Sequence, residues 1–503
     1  MATFMTSLDL TIVNVALPSM QSELHMTAAE LVWIISAYSL SLAALIPAAG
    51  ALGDRYGRKR VFLGGMVVFL IGVLACALAW NAAALIAFRA VQGVGGAAML
   101  ALALSLITET YPPQQRAGAI GAWAAIGGTG FGAGPVGGGV LLTFFSWQSV
   151  FWINLPFAIL GIVCTAVAVR ESRNPRARRL DVPGLLSSGL ALSCLTLGFV
   201  ESSGHPWGSA LVAVPLLAGA ALMFGFFLWE RRAPHAMLPP ALLRARSFSA
   251  ASGIYMLCYG GMTGALFWVT LYFQDVAGWS VLRTGLSWLF MNVPFLTMAQ
   301  FGGRLDSRYR TSTVTVTGTL VAAVGVFLLS RSGTTPFAVS ALGYALYGGG
   351  FGTFVPATTH VAMRDVPPGV SGAASSVLNA SRQIGSSVCL AVLGAVGVNA
   401  AVSSWQGRVG AAAGAQHARA LQEAQNVGAG KVHAVVAALG GGYRNAAVDS
   451  FLHGFQLAVA IAAVCTALAA GLAYVGFRQS TARLAQVAPR GEPAGASAGD
   501  GER

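Results

Sequence analysis

Apolar stretches close to the length of a membrane helix follow one another along this 503-residue chain, and we count fourteen of them. A hydrocarbon core about 30 Å thick takes roughly 20 apolar residues of helix to cross. The runs lie near 1–20, 31–52, 61–80, 84–108, 118–142, 150–169, 182–201, 208–229, 248–273, 284–302, 313–330, 336–360, 370–398 and 451–477. They are too long for strands and lack period-two alternation, and a barrel would read as short alternating segments. Composition points the same way. The chain is 55% hydrophobic and 9% charged, against about 25% charged in a soluble domain. The expected fold class is an all-α integral membrane protein.

The formal net charge is +13. In a soluble protein that excess would suggest nucleic acid, but here the basic residues sit in short gaps between apolar runs, so no nucleic-acid partner is expected. With the N-terminus inside, the short inner connections hold eighteen Lys and Arg residues and the short outer ones only Arg283 and Arg331. Inner connections of membrane proteins are the basic ones. The expectation is a multi-pass protein of the cytoplasmic membrane with both termini cytoplasmic. The first run is short ahead of Pro18, which suggests a start further upstream. The six cysteines lie inside apolar runs without a C-x-x-C partner and read as packing residues. No metal, cofactor or P-loop sequence is indicated. The spans hold no cluster of nucleophile, base or metal ligands, so an enzyme is not expected.

A weak internal repeat organises the runs. Gly50–Lys59 reads GALGDRYGRK and Gly303–Arg310 reads GRLDSRYR, each after the second helix of a prospective bundle. Residues 1–169 are expected to form an N-terminal six-helix bundle. A basic connection and two linker helices follow over 170–247, and a C-terminal six-helix bundle spans 248–477. A long extracytoplasmic loop, 399–449, should be less ordered, with a surface helix inside 411–427. The tail 478–503 should be disordered. Repeats of this kind suggest alternating access around a midplane cavity.

Four motifs carry a family resemblance. LDLTIVNVALP (Leu8–Pro18), GALGDRYGRKR (Gly50–Arg60), RAVQGVGGA (Arg89–Ala97) and GFGAGPVGGG (Gly130–Gly139) stand in order on helices 1, 2–3, 4 and 5. They resemble the major facilitator superfamily, in particular its fourteen-span drug:proton antiporter family of the EmrB/QacA type. LNASRQIGSS (Leu378–Ser387) in helix 13 is similar to the same family. The resemblance implies a secondary active transporter that exports small amphipathic molecules against protons within the lipid bilayer, with or without a periplasmic adaptor. Export of an endogenous metabolite by the same mechanism is the alternative. A membrane scaffold or enzyme fits less well.

Each motif also has a plain physical reading. Asp9 is the one carboxylate near the middle of a span, and an ionised, unpaired carboxylate there is costly. It is either a structural acceptor or a proton carrier. Arg89 keeps its charge at any physiological pH, so it would tune another group. The resemblance implies proton coupling by Asp9 and Arg89. Gly50, Asp54, Arg55, Gly57, Arg58 and Lys59 make a cytoplasmic turn with topogenic charge, and the resemblance makes them a gate latched in the outward-open state. Gly130, Gly134, Pro135, Gly138 and Gly139 suit close packing and bending, and by resemblance they form the antiporter hinge. Substrate-cavity candidates are Asn14, Gln92, Tyr255, Tyr259, Asn292 and Arg382. A single acidic site would favour neutral or singly cationic substrates.

Overall fold

The computed structural model describes residues 1–172, 181–202, 205–233, 245–364, 366, 371–409 and 415–478, and at some helical positions, Asp54 and Arg116 among them, the backbone alone. The first six helical units are α1 (Ala2–Glu23), α2 (Ala28–Tyr56), α3 (Arg58–Ala77), α4 (Ala82–Thr110), α5 (Pro113–Phe144) and α6 (Asn154–Ala168, after a turn at Ser149–Trp152). Two more follow, α7 (Val182–Glu201) and α8 (Ala210–Glu230). The last six are α9 (Arg246–Leu271, prolonged by a wide turn Tyr272–Val276), α10 (Leu289–Arg308, after Val281–Ser287), α11 (Thr311–Ser330), α12 (Phe337–Arg364), α13 (Ser371–Val409) and α14 (Arg444–Arg478). Among the described residues there is no strand beyond an isolated bridge, Ser332 with Thr335.

Fourteen long units therefore stand where the fourteen apolar runs lie. Among the described residues, ten are by themselves long and apolar enough to cross a membrane. Of the fully described units, α1 and α12 fall outside that ten, and they hold Asp9 and the Gly348–Gly350 run. A helix face turned to a protein interior has no need of lipid-like side chains. Proline sits inside α1, α2, α5, α8, α10 and α12, as neighbouring helices allow in membranes. Starts are set by local caps. Thr27 and Glu30 close a capping box on α2, Asn81 caps α4 through Ala84 N–H at 2.8 Å, and Asp181 caps α7 through Gly184 N–H at 3.0 Å.

Packing repeats between the halves. In the first, α1 lies on α5, and α4 on both α2 and α3; in the second, α9 lies on α13, and α12 on both α10 and α11. The first five helices of the two bundles thus follow the same arrangement, while α14 packs more closely on its own bundle than α6 does. The linkers α7 and α8 pair with each other, and α7 touches α2 and α13, one helix from each bundle. Between α7, α2 and α4 runs an apolar groove of about 450 Å³ whose lining includes Trp33, Ile86, Leu186 and Leu190. Outward-facing Leu217, Phe224, Val167 and Val475 are exposed, which is the expected lipid-facing surface of such a protein.

The described residues of 399–449 are largely helical, and the surface helix expected inside 411–427 is among them. Helix α13 continues to Val409, and the short helices Ala415–Gln422, Ala424–Gly428 and Val432–Leu439 follow. They enclose a small second core of Trp405, Val409, Ala420, Val427 and Val435, and Trp405 Nε1 donates to the Ala420 carbonyl at 2.8 Å. Alanine and glycine keep the short helices close enough to bury one large aromatic. The tail expected to be disordered lies beyond Arg478, outside the described residues, as do residues 173–180 of the basic connection.

Candidate functional site

Helix α1 carries Asp9 into the N-terminal bundle, where it meets α4. Arg89 Nη1 donates to Asp9 Oδ2 at 2.7 Å and to Gln92 Oε1 at 2.7 Å. Gln92 Nε2 donates to Asp9 Oδ1 at 2.9 Å, and Arg89 Nε donates to the Ile34 carbonyl on α2 at 3.2 Å. The guanidinium carbon stands 4.3 Å from the centre of the Tyr38 ring. Asp9 and Arg89 are 0% and 1% exposed, so water does not screen the pair. The sequence presented Asp9 and Arg89 as separate candidates; the structure joins them, and draws Gln92 into the same cluster. Asn14, one turn beyond Asp9, donates to the Leu10 carbonyl at 2.8 Å and leaves Oδ1 buried without a partner.

The α5 glycines form two adjacent seams. A Cβ on Gly130 would strike the Phe4 backbone, one on Gly134 the Thr11 side chain, and one on Gly138 the Ile12 side chain at 2.9 Å. That seam, spaced by four residues, brings α5 against the helix of Asp9. The second seam faces the other bundle. A Cβ on Gly139 would stand 2.9 Å from Leu282 Cα, and one on Gly285 would meet the carbonyl of Pro135. Nearby, Asn292 Nδ2 donates to the Gly132 carbonyl at 3.4 Å.

The α2–α3 turn is held within its own bundle. Gly57 has φ +114°, a conformation glycine adopts without strain. Glu171, just past α6, accepts from the Lys59 N–H at 3.1 Å and the Arg60 N–H at 3.2 Å, and so caps α3 from a distant segment. Arg58 N–H donates to the Ser172 carbonyl at 2.8 Å, and Lys59 Nζ donates to the Ala166 carbonyl at 2.7 Å. Arg55 lies over the Tyr56 ring at 5.4 Å, and Gly50 is partly buried in α2. The side chain of Asp54, expected to latch the turn across the bundle interface, lies outside the described residues. Glu171 was missed in the sequence. Its signal was there, as the lone acid in the run RESRNPRARR.

At the opposite end the bundles are tied together. Gln274 Nε2 donates to the Val15 carbonyl at 3.1 Å. Lys431 Nζ, from the loop after α13, donates to the Met26 carbonyl between α1 and α2 at 2.6 Å. In the C-terminal bundle Arg382 on α13 lies over Tyr255 and Tyr259 of α9, 4.2 and 5.2 Å from the ring centres. Tyr255 Oη donates to the Val355 carbonyl at 3.0 Å and also contacts Thr359 Oγ1. Among the described residues no group of His, Cys, Asp and Glu is placed to hold a metal ion.

Comparison with known proteins agrees with this architecture. The Major Facilitator Superfamily family profile matches residues 1–389. The chain is 32% identical over 477 residues to the tetracenomycin C resistance and export protein of Streptomyces glaucescens, covering 93% of this chain and 88% of that protein. It is 36% identical over 398 residues to a methylenomycin A resistance protein of Streptomyces coelicolor, covering 78% and 83%. Among solved structures, a bacterial homologue of the human lysosomal transporter Spinster, inward-facing and occupied, aligns over 96% of both chains with a TM-score of 0.59 at 18% identity. With two matching six-helix bundles, a paired linker and relatives of this similarity, the chain belongs to the Major Facilitator Superfamily, as a multi-pass transporter among drug-resistance and efflux proteins.

Proposed function

We propose that this protein exports small amphipathic molecules across the cytoplasmic membrane in exchange for protons, by alternating access between the two bundles. The observation that carries this reading is the buried Asp9–Arg89 pair. Ionised, Asp9 is held by a permanent cation and an amide. Protonated, it gives up its charge, and Arg89 is left to the Ile34 carbonyl, Gln92 and the Tyr38 ring. The two protonation states thus make different contacts between α1, α2 and α4, which is what a proton needs in order to bias a conformational equilibrium. The named relatives support export of antibiotics as the physiological task.

The basic end of the molecule is assigned to the cytoplasm by its charge. The end closed by Gln274, Lys431 and the Gly139–Gly285 contacts is then extracytoplasmic, and closure at that end supports reading access as being from the cytoplasmic side. The contacts of the α2–α3 turn with its own bundle fit that state, because a latch between bundles belongs to the reverse one. Residues 1–169 and 248–477 are taken as the two moving bodies. Residues 170–247 are the linker, and both termini are cytoplasmic. Gly130, Gly134, Pro135, Gly138 and Gly139 act as hinge and seal.

The test is efflux from a pump-deficient host across a compound panel, with and without an uncoupler, for wild type and Asp9→Asn. Wild type should lower accumulation of at least one compound, and the uncoupler and Asp9→Asn should each abolish that effect. Efflux that persists under the uncoupler would defeat proton exchange.

A further inference from the structure

Among the described residues, the interior of the C-terminal bundle contains a cation with no carboxylate beside it. Between Arg246 and Val409 the only carboxylates are Asp275, Asp306 and Asp365. Asp275 is in the turn that ends α9, Asp306 is two residues from the end of α10, and Asp365 follows α12. Arg382 is eleven residues into α13, about 16 Å along the axis from its start. Among the described residues no carboxylate reaches it. Its Nη1 reaches Asn379 Oδ1 at 3.4 Å, Tyr255 supplies a further side-chain hydrogen bond, and Nε is buried without an acceptor. The faces of Tyr255 and Tyr259 supply the rest of its surroundings.

Arg89 shows what a satisfied guanidinium looks like in this same protein, with a carboxylate at 2.7 Å, an amide and a backbone carbonyl. A guanidinium offers five N–H donors in a planar fork. Two tyrosine faces attract it, and Tyr255 with Asn379 accepts only part of what the fork offers. Arg382 is also partly exposed, whereas Arg89 is sealed. An ion in a low-dielectric interior favours a partner of opposite charge that brings its own acceptors. The acidic site that would favour cationic substrates is already neutralised, since Asp9 is spent on Arg89.

We infer that Arg382, flanked by Tyr255, Tyr259 and Asn379, is the docking point for an ionised acidic group of the substrate, and that the preferred substrates are aromatic or apolar molecules bearing a carboxylate or another delocalised oxyanion. The oxyanion accepts from the guanidinium fork, while the tyrosine edges and Phe351, 5.0 Å from the Tyr259 ring centre, meet the apolar body. This deepens the export reading and rests on it. It also has a consequence for energetics. Moving a monoanion out against one proton carries two charges per cycle, so the membrane potential drives the step twice over.

The test uses 2-anthroate and methyl 2-anthroate, which share a ring system and differ in charge, with the purified full-length protein in nanodiscs. Wild type should bind 2-anthroate at least tenfold more tightly than the ester at neutral pH. Arg382→Gln should lose that preference through a larger fall in acid than in ester affinity, and the ester binding that remains reports that the variant is folded. Arg382→Lys should retain part of the preference. Equal affinity of the wild type for acid and ester overturns the inference without recourse to any variant, as does an Arg382→Gln protein that still prefers the acid. A parallel assay of uncoupler-sensitive efflux of a neutral dye separates the two readings. If the neutral dye is exported while the acid shows no preference, the anion site is wrong and the exporter stands. If the acid binds tightly and nothing is exported, the exporter reading fails.

Discussion

Replacing Asp9 by asparagine tests whether the buried pair is a unit. Asp9 presents two acceptors, and both are used, Oδ2 by Arg89 and Oδ1 by Gln92. Asparagine keeps one acceptor and adds a donor. If its oxygen stays on Arg89, its NH₂ faces the NH₂ of Gln92. Flipping Gln92 cures that clash but turns its NH₂ towards Arg89 Nη1, which now donates to Gln92 Oε1 at 2.7 Å. Every arrangement strands one donor, at about 1–3 kcal/mol, and leaves a buried cation uncompensated. Breaking a buried pair from one side costs about 3–5 kcal/mol. Asp9→Asn and Arg89→Gln should each destabilise by that order, while the double variant, which removes both charges, should be more stable than either single one. The assay is thermal unfolding in detergent followed by tryptophan fluorescence, with vesicle efflux beside it. The double variant should regain stability but not proton-driven transport. A double variant whose loss is the sum of the single losses would show that the two residues are not coupled.

Other substitutions probe the remaining contacts. Gly134→Val drives a side chain into Thr11, whereas a Cβ on Gly137 meets nothing within 4 Å; Gly134→Val should abolish efflux and Gly137→Ala should leave it within about twofold, as read by the same vesicle assay. Glu171→Ala uncaps α3 at Lys59 and Arg60; with the Glu171 side chain 34% exposed, the loss should be no more than about 1 kcal/mol, visible as a small fall in melting temperature. Lys431→Met removes a bond between the bundles, so a Gln274→Cys reporter should be labelled faster by a membrane-impermeant thiol reagent. Burial lowers the Lys431 pKa, while Asp275 and Glu30 pull it back up. The closed end thus holds that proton more weakly than an exposed lysine would, and raising external pH towards the lysine range should strengthen closure and slow labelling.

The fold was legible because lipid leaves the backbone few choices, and span length with charge placement conveys most of it. The internal repeat was visible only as G-x-L-x-x-R-Y, yet in three dimensions it is the full packing pattern of α1–α5 reproduced by α9–α13. Asp9 and Arg89 were legible as unusual residues, but their contact joins positions 80 apart, and spacing along a chain does not report which faces of two helices meet. Tyr255 and Tyr259, one turn apart, could be read as one face; that Arg382 sits across them could not. After α13 the helix expected inside 411–427 was legible, but the small core that Trp405 and a few valines build was not, because the alanine and glycine content of that stretch resembles unstructured sequence.

Placing Asp9 on α1 matters because of what α1 rests on. Its far side is pressed against the Gly130–Gly134–Gly138 seam of α5, so close that no side chain fits between. The neighbouring face of the same helix, through Pro135 and Gly139, bears on residues 281–287 of the other bundle. On the proposed exchange of Arg89 for a proton at Asp9, a shift of α1 would be passed to α5 with no soft layer to absorb it, since close-packed interiors deform little. Helix α5 then presents that shift at the surface that closes the extracytoplasmic end. Larger residues at either seam would space the helices apart, and the proton would still bind without moving the seal. Under the proposed exchange the glycines would do more than permit packing: their close contacts would carry a protonation event in one bundle to the contact it must break with the other.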